Sequence, residues 1–255
     1  MRFASLGSGS RGNALIVESG GTRVLLDCGF GLQDSVRRLQ RLGVAPETLA
    51  AILVTHEHGD HVGGVFKLAR RYAIPVWMTH GSLAHVAQRE SALPELRVID
   101  GHTQYALGDL ELQPYPVPHD AREPVQYVFS DGSRRLGVLT DIGSVTPHVV
   151  SVLQRCHALV LECNHDCDLL EQSNYPLSLK RRISGRLGHL ENGAAAALLA
   201  QLDTSCLQHV VAAHLSEQNN RPELAMAALA RVLDCENDWI GVADQDNGFA
   251  WRSID

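Results

Sequence analysis

The stretch Ala51-Ile52-Leu53-Val54-Thr55-His56-Glu57-His58-Gly59-Asp60-His61 decides the reading of this chain. Its four leading aliphatic residues have the length of a short strand buried on both faces. The segment His56–His61 is dense in electron-pair donors, with three histidines and an aspartate inside six residues. Imidazole and carboxylate groups are the usual ligands of zinc and similar divalent ions, at about 2.0–2.2 Å. A regular strand or helix cannot bring all four to one ion. A tight loop through Gly59 can aim them in two directions, toward two neighbouring cations. A solvated polar loop with incidental histidines is the alternative, and chance rarely assembles this pattern straight after a buried strand.

Further candidate ligands stand at the ends of other apolar runs, where loops carry function. His119 lies in Val117-Pro118-His119-Asp120, Asp141 ends Gly137-Val138-Leu139-Thr140-Asp141, and His214 ends Val210-Val211-Ala212-Ala213-His214. Taken singly, each is more often a satisfied polar residue than a ligand. Together with the first cluster they form a set that can face one edge of a sheet.

The rest of the chain supplies that sheet. Met1–Leu6 reads as an immediate strand. Ala14–Ser19 and Thr22–Asp27 read as two more, joined by the hairpin signal Gly20-Gly21. Leu32, Val36, Leu39 and Leu42 recur at helical spacing, and Gly63–Tyr72 returns to helix. Pro75–Met78, Glu111–Pro116, Arg135–Thr140, Ala158–Cys163 and His209–Ala213 read as strands. Pro147–Leu153, Leu177–Leu187, Asn192–Leu202 and Pro222–Leu233 read as helices. The similar order of elements in both halves predicts one layered α/β domain over residues 1–255, with helices covering the sheets.

With 255 residues, 45% of them hydrophobic and 20% charged, the composition is that of a globular protein that needs no disulfide or structural metal to fold. The net charge of −7 argues against nonspecific coating of nucleic acid, which Lys and Arg drive. It leaves room for a nucleic-acid enzyme, because bound divalent cations reverse the field around Asp60 and Asp141. The six cysteines include no Cys-x-x-Cys pair, so reduced, mostly buried thiols and a cytoplasmic protein without a membrane span are expected.

The arrangement resembles the metallo-β-lactamase superfamily, whose fold is an αββα four-layer sandwich. Leu25-Leu26-Asp27-Cys28-Gly29 is similar to its first motif and His56–His61 to its second, while His119, Asp141 and His214 match the third to fifth. The resemblance implies that His56, His58 and His119 bind one metal, and that Asp60, His61 and His214 bind a second. Asp141 would bridge the two, and Asp27 would orient a ligand loop through hydrogen bonds. An Asp at the bridging position and a His at position 61 resemble the phosphodiesterase and glyoxalase II-like branches rather than antibiotic-hydrolysing members.

Other stretches resemble a smaller group, the bacterial YycJ/WalJ-type proteins. They are Gly7-Ser8-Gly9-Ser10-Arg11-Gly12-Asn13, Glu162-Cys163-Asn164-His165-Asp166, Gly188-His189-Leu190 and His214–Asn220. Arg11 and Cys163 stand where small residues are more common. The resemblance implies a phosphodiesterase using two divalent ions, zinc or manganese, that trims DNA from the 5′ end. In that chemistry the cations would lower the pKa of a shared water, and two roles are expected of this chain's own residues: Asp60 would orient that water, and His189, between Gly188 and Leu190, would contact a phosphate or donate a proton to the leaving oxygen.

The opening loop admits two readings, a turn between strands or a nest of amides for a phosphate that uses Ser10 and Asn13. Lys180, Arg181, Arg182 and Arg186 read either as a solvated face or as a phosphate-contacting strip. Asn164 and His165 are further candidate substrate contacts. Two other functions compete: a small-molecule hydrolase of thioesters, lactones or cyclic phosphodiesters, and a metal-binding scaffold without catalysis.

Overall fold

A computed structural model of the chain describes residues 1–88 and 94–255. Its first half runs β1 (Arg2–Gly7), β2 (Ala14–Ser19), β3 (Thr22–Leu26), α1 (Leu32–Arg41), β4 (Ala51–Leu53), α2 (Gly59–Val62), α3 (Val65–Tyr72), β5 (Val76–Thr79), α4 (His80–Val86) and β6 (Leu96–Ile99). The second half continues with β7 (Tyr105–Leu107), β8 (Leu110–Pro116), β9 (Val125–Ser130), β10 (Arg135–Leu139), α5 (Pro147–Val152), β11 (Ala158–Glu162), α6 (Cys167–Gln172), α7 (Leu177–Ile183) and α8 (Asn192–Leu199). It ends with β12 (His209–Ala213), α9 (Pro222–Leu233), β13 (Gly241–Val242) and β14 (Phe249–Ser253).

Among the described residues the strands form two sheets of seven, in the orders β14-β1-β2-β3-β4-β5-β6 and β13-β12-β11-β10-β9-β8-β7. Each sheet is antiparallel on one side and parallel on the other, changing at β3 and at β10. The hairpin through Gly20-Gly21 pairs Ser19 with Thr22, and Gly20 takes the positive φ of 54° that such a turn needs.

Strand alternation sorts the apolar side chains into three cores. Phe3, Val17, Val24, Leu26 and Leu53 from the first sheet meet Leu112, Phe129, Val138 and Val160 from the second. On the outer face of the first sheet, Ile16, Leu25 and Ile52 pack against Leu39 of α1 and Phe66 and Leu68 of α3. On the outer face of the second, Leu139, Leu159, Leu161 and Val210 pack against Val149, Ala195, Leu198 and Leu229 from α5, α8 and α9. The layers are therefore helix, sheet, sheet, helix. Buried hydroxyls tie the two sheets, as Tyr127 donates to the Val54 carbonyl at 3.3 Å, just before the histidine-rich loop.

Several boundaries differ from the sequence reading. The helix expected over Leu177–Leu187 stops at Ile183, because Ser184-Gly185 breaks the ladder and His189 turns back to the Ile183 carbonyl. That expected over Asn192–Leu202 stops at Leu199, and that expected over Gly63–Tyr72 begins only at Val65, because Gly63 and Gly64 form the turn between α2 and α3. The short strands β6, β7 and β9 and helices α4 and α6 carry too few periodic residues to stand out beforehand. Three of the six free cysteines, Cys28, Cys156 and Cys163, are buried, which is fewer than the composition suggested. No helix of the described residues is long and apolar enough to cross a membrane.

The β9–β10 turn is closed by Asp131, whose carboxylate accepts from the amides of Ser133 and Arg134 at 3.1 and 2.8 Å and from the Ser133 hydroxyl at 3.1 Å. Burial pushes this carboxyl up, but those hydrogen bonds outweigh it and hold it at about 2. A folded value below the unfolded one, about 3.9, stabilises the fold above that pH, and the stabilisation disappears as pH falls toward the folded value. Asp131→Ala should therefore cost about 1 kcal/mol in urea unfolding near neutrality. The gap between variant and parent should close as unfolding is measured at progressively lower pH, below about 4.

Candidate metal centre

The C-terminal ends of β3, β4, β10, β11 and β12 lie along one edge of the sandwich, and β8 runs the same way as β10. Loops leaving that edge carry the candidate residues, as in other open α/β sheets. His56 and His58 follow β4, α2 presents Asp60 and His61, and His119, Asp141 and His214 follow β8, β10 and β12. Asp27, Asp141 and His214 take positive φ values of 60°, 52° and 54°, immediately or soon after their strands end. Non-glycine residues held there carry backbone strain, which is concentrated at this edge. Gly29 lies beneath the loop, where an added Cβ would overlap the Asp60 carbonyl.

Four of the imidazoles have one nitrogen tied down. Asp27 Oδ2 accepts from His61 Nδ1 at 2.8 Å and from the Thr55 hydroxyl at 2.8 Å, so that hydroxyl is left to accept from His56 Nδ1 at 3.0 Å. His119 Nδ1 donates to the Gly188 carbonyl at 3.0 Å, and His214 Nδ1 donates to Glu162 Oε1 at 3.1 Å. Oxygens that only accept keep the proton on Nδ1 and leave Nε2 to face the centre. His58 turns the other way, with Nδ1 3.0 Å from His56 Nε2 and 3.3 Å from His119 Nε2.

These distances fit coordination, since ligand atoms bound at about 2.0–2.1 Å in a tetrahedron stand about 3.3 Å apart. Asp60 Oδ2 lies 3.4 Å from His61 Nε2 and 3.5 Å from His214 Nε2. Asp141 Oδ2 lies 3.1 Å from His61 Nε2, and its Oδ1 lies 3.8 Å from His119 Nε2. The donors of His56, His58 and His119 lie within 4.8 Å of one another, as do those of Asp60, His61 and His214, and Asp141 joins His56 and His61 in a third such group. Asp141 Oδ2 is buried without a hydrogen-bond partner among the described residues. An orphaned carboxylate oxygen facing imidazole Nε2 atoms is what a divalent cation satisfies.

The electrostatics agree with the geometry. Burial pushes His61 and His214 down, but Asp141, with Asp27 and Asp60 around His61 and Asp60 and Glu162 around His214, raises His61 well above its usual value and His214 to about 10. The excess proton on Nε2 stands where a cation would replace it. Burial dominates at His56, which is pushed well below the usual imidazole value. Asp141 goes the opposite way from what burial demands, because His214 and His61 hold it ionised.

His189 reaches the rim of this cluster, half-buried, with Nδ1 donating to Glu162 Oε1 at 2.9 Å. Glu162 is 0% exposed, and its other oxygen accepts from the amides of Ile142 and Leu190 at 2.9 and 3.1 Å. One carboxylate thus orients His189 and His214 together. The sequence reading quotes Glu162 within a motif but gives it no role, although an acidic residue closing the apolar run Ala158–Leu161 is a signal, because a buried charge needs partners. It likewise gives none to Thr55, or to Glu57, which accepts from the Arg122 amide at 2.7 Å and the Ser82 hydroxyl at 3.0 Å. A cleft of about 520 Å³ opens beside His58, lined by Glu57, Gly59, His85, Asp120 and Arg122.

The residues expected to contact substrate divide. Asn13 is at the cluster, with Nδ2 3.3 Å from Asp60 Oδ2 and 3.2 Å from His61 Nε2. The phosphate nest around Ser10 does not form. The amides of Ser8, Gly9, Arg11, Gly12 and Asn13 are all bonded within the protein, and Ser10 is an exposed turn residue. Asn164 donates to the His214 carbonyl at 3.0 Å and so braces the loop that carries His214 rather than lining the cleft. His165 is buried at 1% exposure, with Nδ1 unpartnered. Lys180 turns its ammonium to the Glu171 carbonyl and Arg181 faces solvent. Arg182 is the cation that reaches the centre, through Asp120 Oδ2 at 2.7 Å.

Comparison with known proteins agrees with this geometry. A family profile described as a beta-lactamase superfamily domain matches residues 22–214. The chain is 34% identical over 246 residues to an exodeoxyribonuclease YycJ of Bacillus anthracis, covering 95% of this chain and 93% of that protein. It is 29% identical over 247 residues to an exodeoxyribonuclease WalJ of Streptococcus pneumoniae, covering 94% of this chain and 91% of the relative. The metallo-beta-lactamase fold protein YhfI of Bacillus subtilis superposes with a TM-score of 0.76 over 98% of each chain at 15% identity, which shows a common fold. The chain belongs to the metallo-β-lactamase superfamily, in the group that includes the YycJ and WalJ exodeoxyribonucleases.

Proposed function

We propose that this protein is a dinuclear metal-dependent phosphodiesterase that degrades DNA from the 5′ end, with zinc or manganese as its cations. The observation that carries the reading is the convergence of imidazole Nε2 atoms on the orphaned Asp141 carboxylate, in a chain alike over most of its length to exodeoxyribonucleases. His56, His58 and His119 would hold one cation, Asp60, His61 and His214 the other, and Asp141 both. The cations, when bound, polarise a phosphoryl oxygen and lower the pKa of a water.

The chain's own residues do the rest. Asp60, with Oδ2 facing His61 and His214, orients the attacking water. His189 has Nδ1 committed to Glu162, so Nε2 is the atom from which a proton passes to the leaving oxygen. Burial lowers His189, but Glu162 outweighs it and raises the imidazole above its usual value, which suits a proton donor. Asp27 keeps His61 in register from below. A cytoplasmic setting fits six unpaired thiols.

Digestion of end-labelled DNA and RNA duplexes, with and without a 5′ phosphate, under Mn²⁺ and Zn²⁺, tests the reading. Nucleotide release from the 5′ end of DNA is expected. Hydrolysis of a thioester with no cleavage of any nucleic acid would replace this reading with the small-molecule one. His189→Ala should lower kcat by roughly 10²–10⁴-fold while metal content stays intact, and unchanged turnover would remove His189 from the chemistry. Asp141→Ala should lose roughly half or more of the bound metal per chain, measured by elemental analysis after dialysis, because it deprives both cations of a ligand. Full occupancy in that variant would sink the bridging role.

A further inference from the structure

Helix α7 is an anomaly. Alone among the α-helices of the described residues it buries no residue at all, whereas helices of this length are normally held by an apolar face. The segment around it, Leu177-Ser178-Leu179-Lys180-Arg181-Arg182-Ile183-Ser184-Gly185-Arg186-Leu187, carries four cations and no acid in a chain of net charge −7. Its two ends, Leu177 at 62% and Leu187 at 53% exposure, are the most exposed large hydrophobic residues described. Arg181 and Arg186 are exposed and have no ion-pair partner among the described residues.

This segment is fastened to the metal centre. The Asp120 amide donates to the Leu187 carbonyl at 3.0 Å, His119 Nδ1 to the Gly188 carbonyl at 3.0 Å, and the Ser144 hydroxyl to the Arg186 carbonyl at 3.1 Å. Arg182 is clamped to Asp120, whose other oxygen lies 3.5 Å from His119 Nε2. His189 comes two residues after Leu187. Cations and apolar side chains therefore stand on a segment whose C-terminal end is anchored beside the candidate metal centre.

Polyanionic chains are held by such cations, and unstacked bases pack against apolar side chains beside them. We propose that residues 177–187 bind an unpaired run of the polynucleotide strand next to the bond being cut, with Arg181 and Arg186 on its phosphates and Leu177 and Leu187 against its bases. The inference rests on the nuclease reading and adds the surface that delivers the strand. An anionic membrane is the less suitable occupant, because in-plane membrane helices bury a continuous apolar face, and the most exposed apolar side chains here, Leu177 and Leu187, stand at opposite ends of the segment, the second of them beyond α7.

The test measures binding of a 5′-phosphorylated, cleavage-resistant phosphorothioate oligodeoxynucleotide to the Mn²⁺-loaded protein by fluorescence anisotropy over a NaCl series. Arg181→Ala/Arg186→Ala should weaken binding about tenfold at physiological salt. It should also lower the slope of log affinity against log salt by about 1.4, or about 0.7 for each phosphate contact on a single strand. Arg37→Ala, on α1, should keep the parent slope. Leu177→Ser/Leu187→Ser should weaken binding without changing the slope. Cleavage of oligonucleotide should suffer at least several-fold more in the arginine variant than cleavage of bis-p-nitrophenyl phosphate, which is too small to reach the segment. An unchanged slope overturns the phosphate contacts, and unchanged affinity in the leucine variant overturns the base contacts. Tighter, arginine-dependent binding to phosphatidylserine vesicles than to the oligonucleotide would assign the segment to a membrane instead. A parent protein that cleaves no DNA defeats the nuclease reading, while the anisotropy still decides whether the segment binds a strand.

Discussion

The Asp27 carboxylate is sealed beneath the site, and by taking the Nδ1 proton of His61 and the hydroxyl proton of Thr55 it settles how two imidazoles face. Glu162 performs the equivalent task from the second sheet, holding His214 and His189 through one oxygen while two backbone amides hold the other. A histidine free to rotate would present either nitrogen. Pinned by acceptors, each presents Nε2 to a common centre. The two sheets thus each contribute one buried carboxylate that orients imidazoles, Asp27 after β3 and Glu162 at the end of β11, and the centre lies between them.

That arrangement is expensive for a protein without cations. Asp27, Asp141 and Glu162 are buried, Asp60 lies beside them, and Asp141 retains an oxygen with no hydrogen bond. Three backbone positions in the left-handed region add strain at the same edge. Buried charge and local strain persist when the surrounding structure holds them, and here three apolar cores around two sheets supply that rigidity. Bound cations turn the accumulated carboxylates from a liability into the source of the site's affinity.

The loop from Ser184 to Leu190 links the chemistry to whatever lies outside the centre. Its carbonyls orient His119 and Asp120, its end presents His189, and it leads directly from the one α-helix with no buried face among the described residues. Substrate held along α7 would lie in register with His189 because both belong to one segment fastened beside the centre.

The sequence alone determined the layered α/β architecture and picked out candidate donors that the fold brings together. Short apolar runs each ending in His or Asp carry that information locally, and a dense motif such as His56–His61 keeps its meaning wherever the chain places it. Pairing of the described strands into two sheets of seven, and the contacts of Glu162, Thr55 and Arg182, were decided only by tertiary structure. Glu162 reads locally as the polar end of a strand, and becomes an orienting group only when β10, β12 and the loop after α7 close around it. The Ser10 loop shows the converse, since its glycines suit a phosphate nest until Gln245, Asp244 and Asp60, distant in sequence, occupy its amides. Residue type and spacing fix which atoms can donate. Which donors remain free is set by neighbours that the chain brings together only by folding.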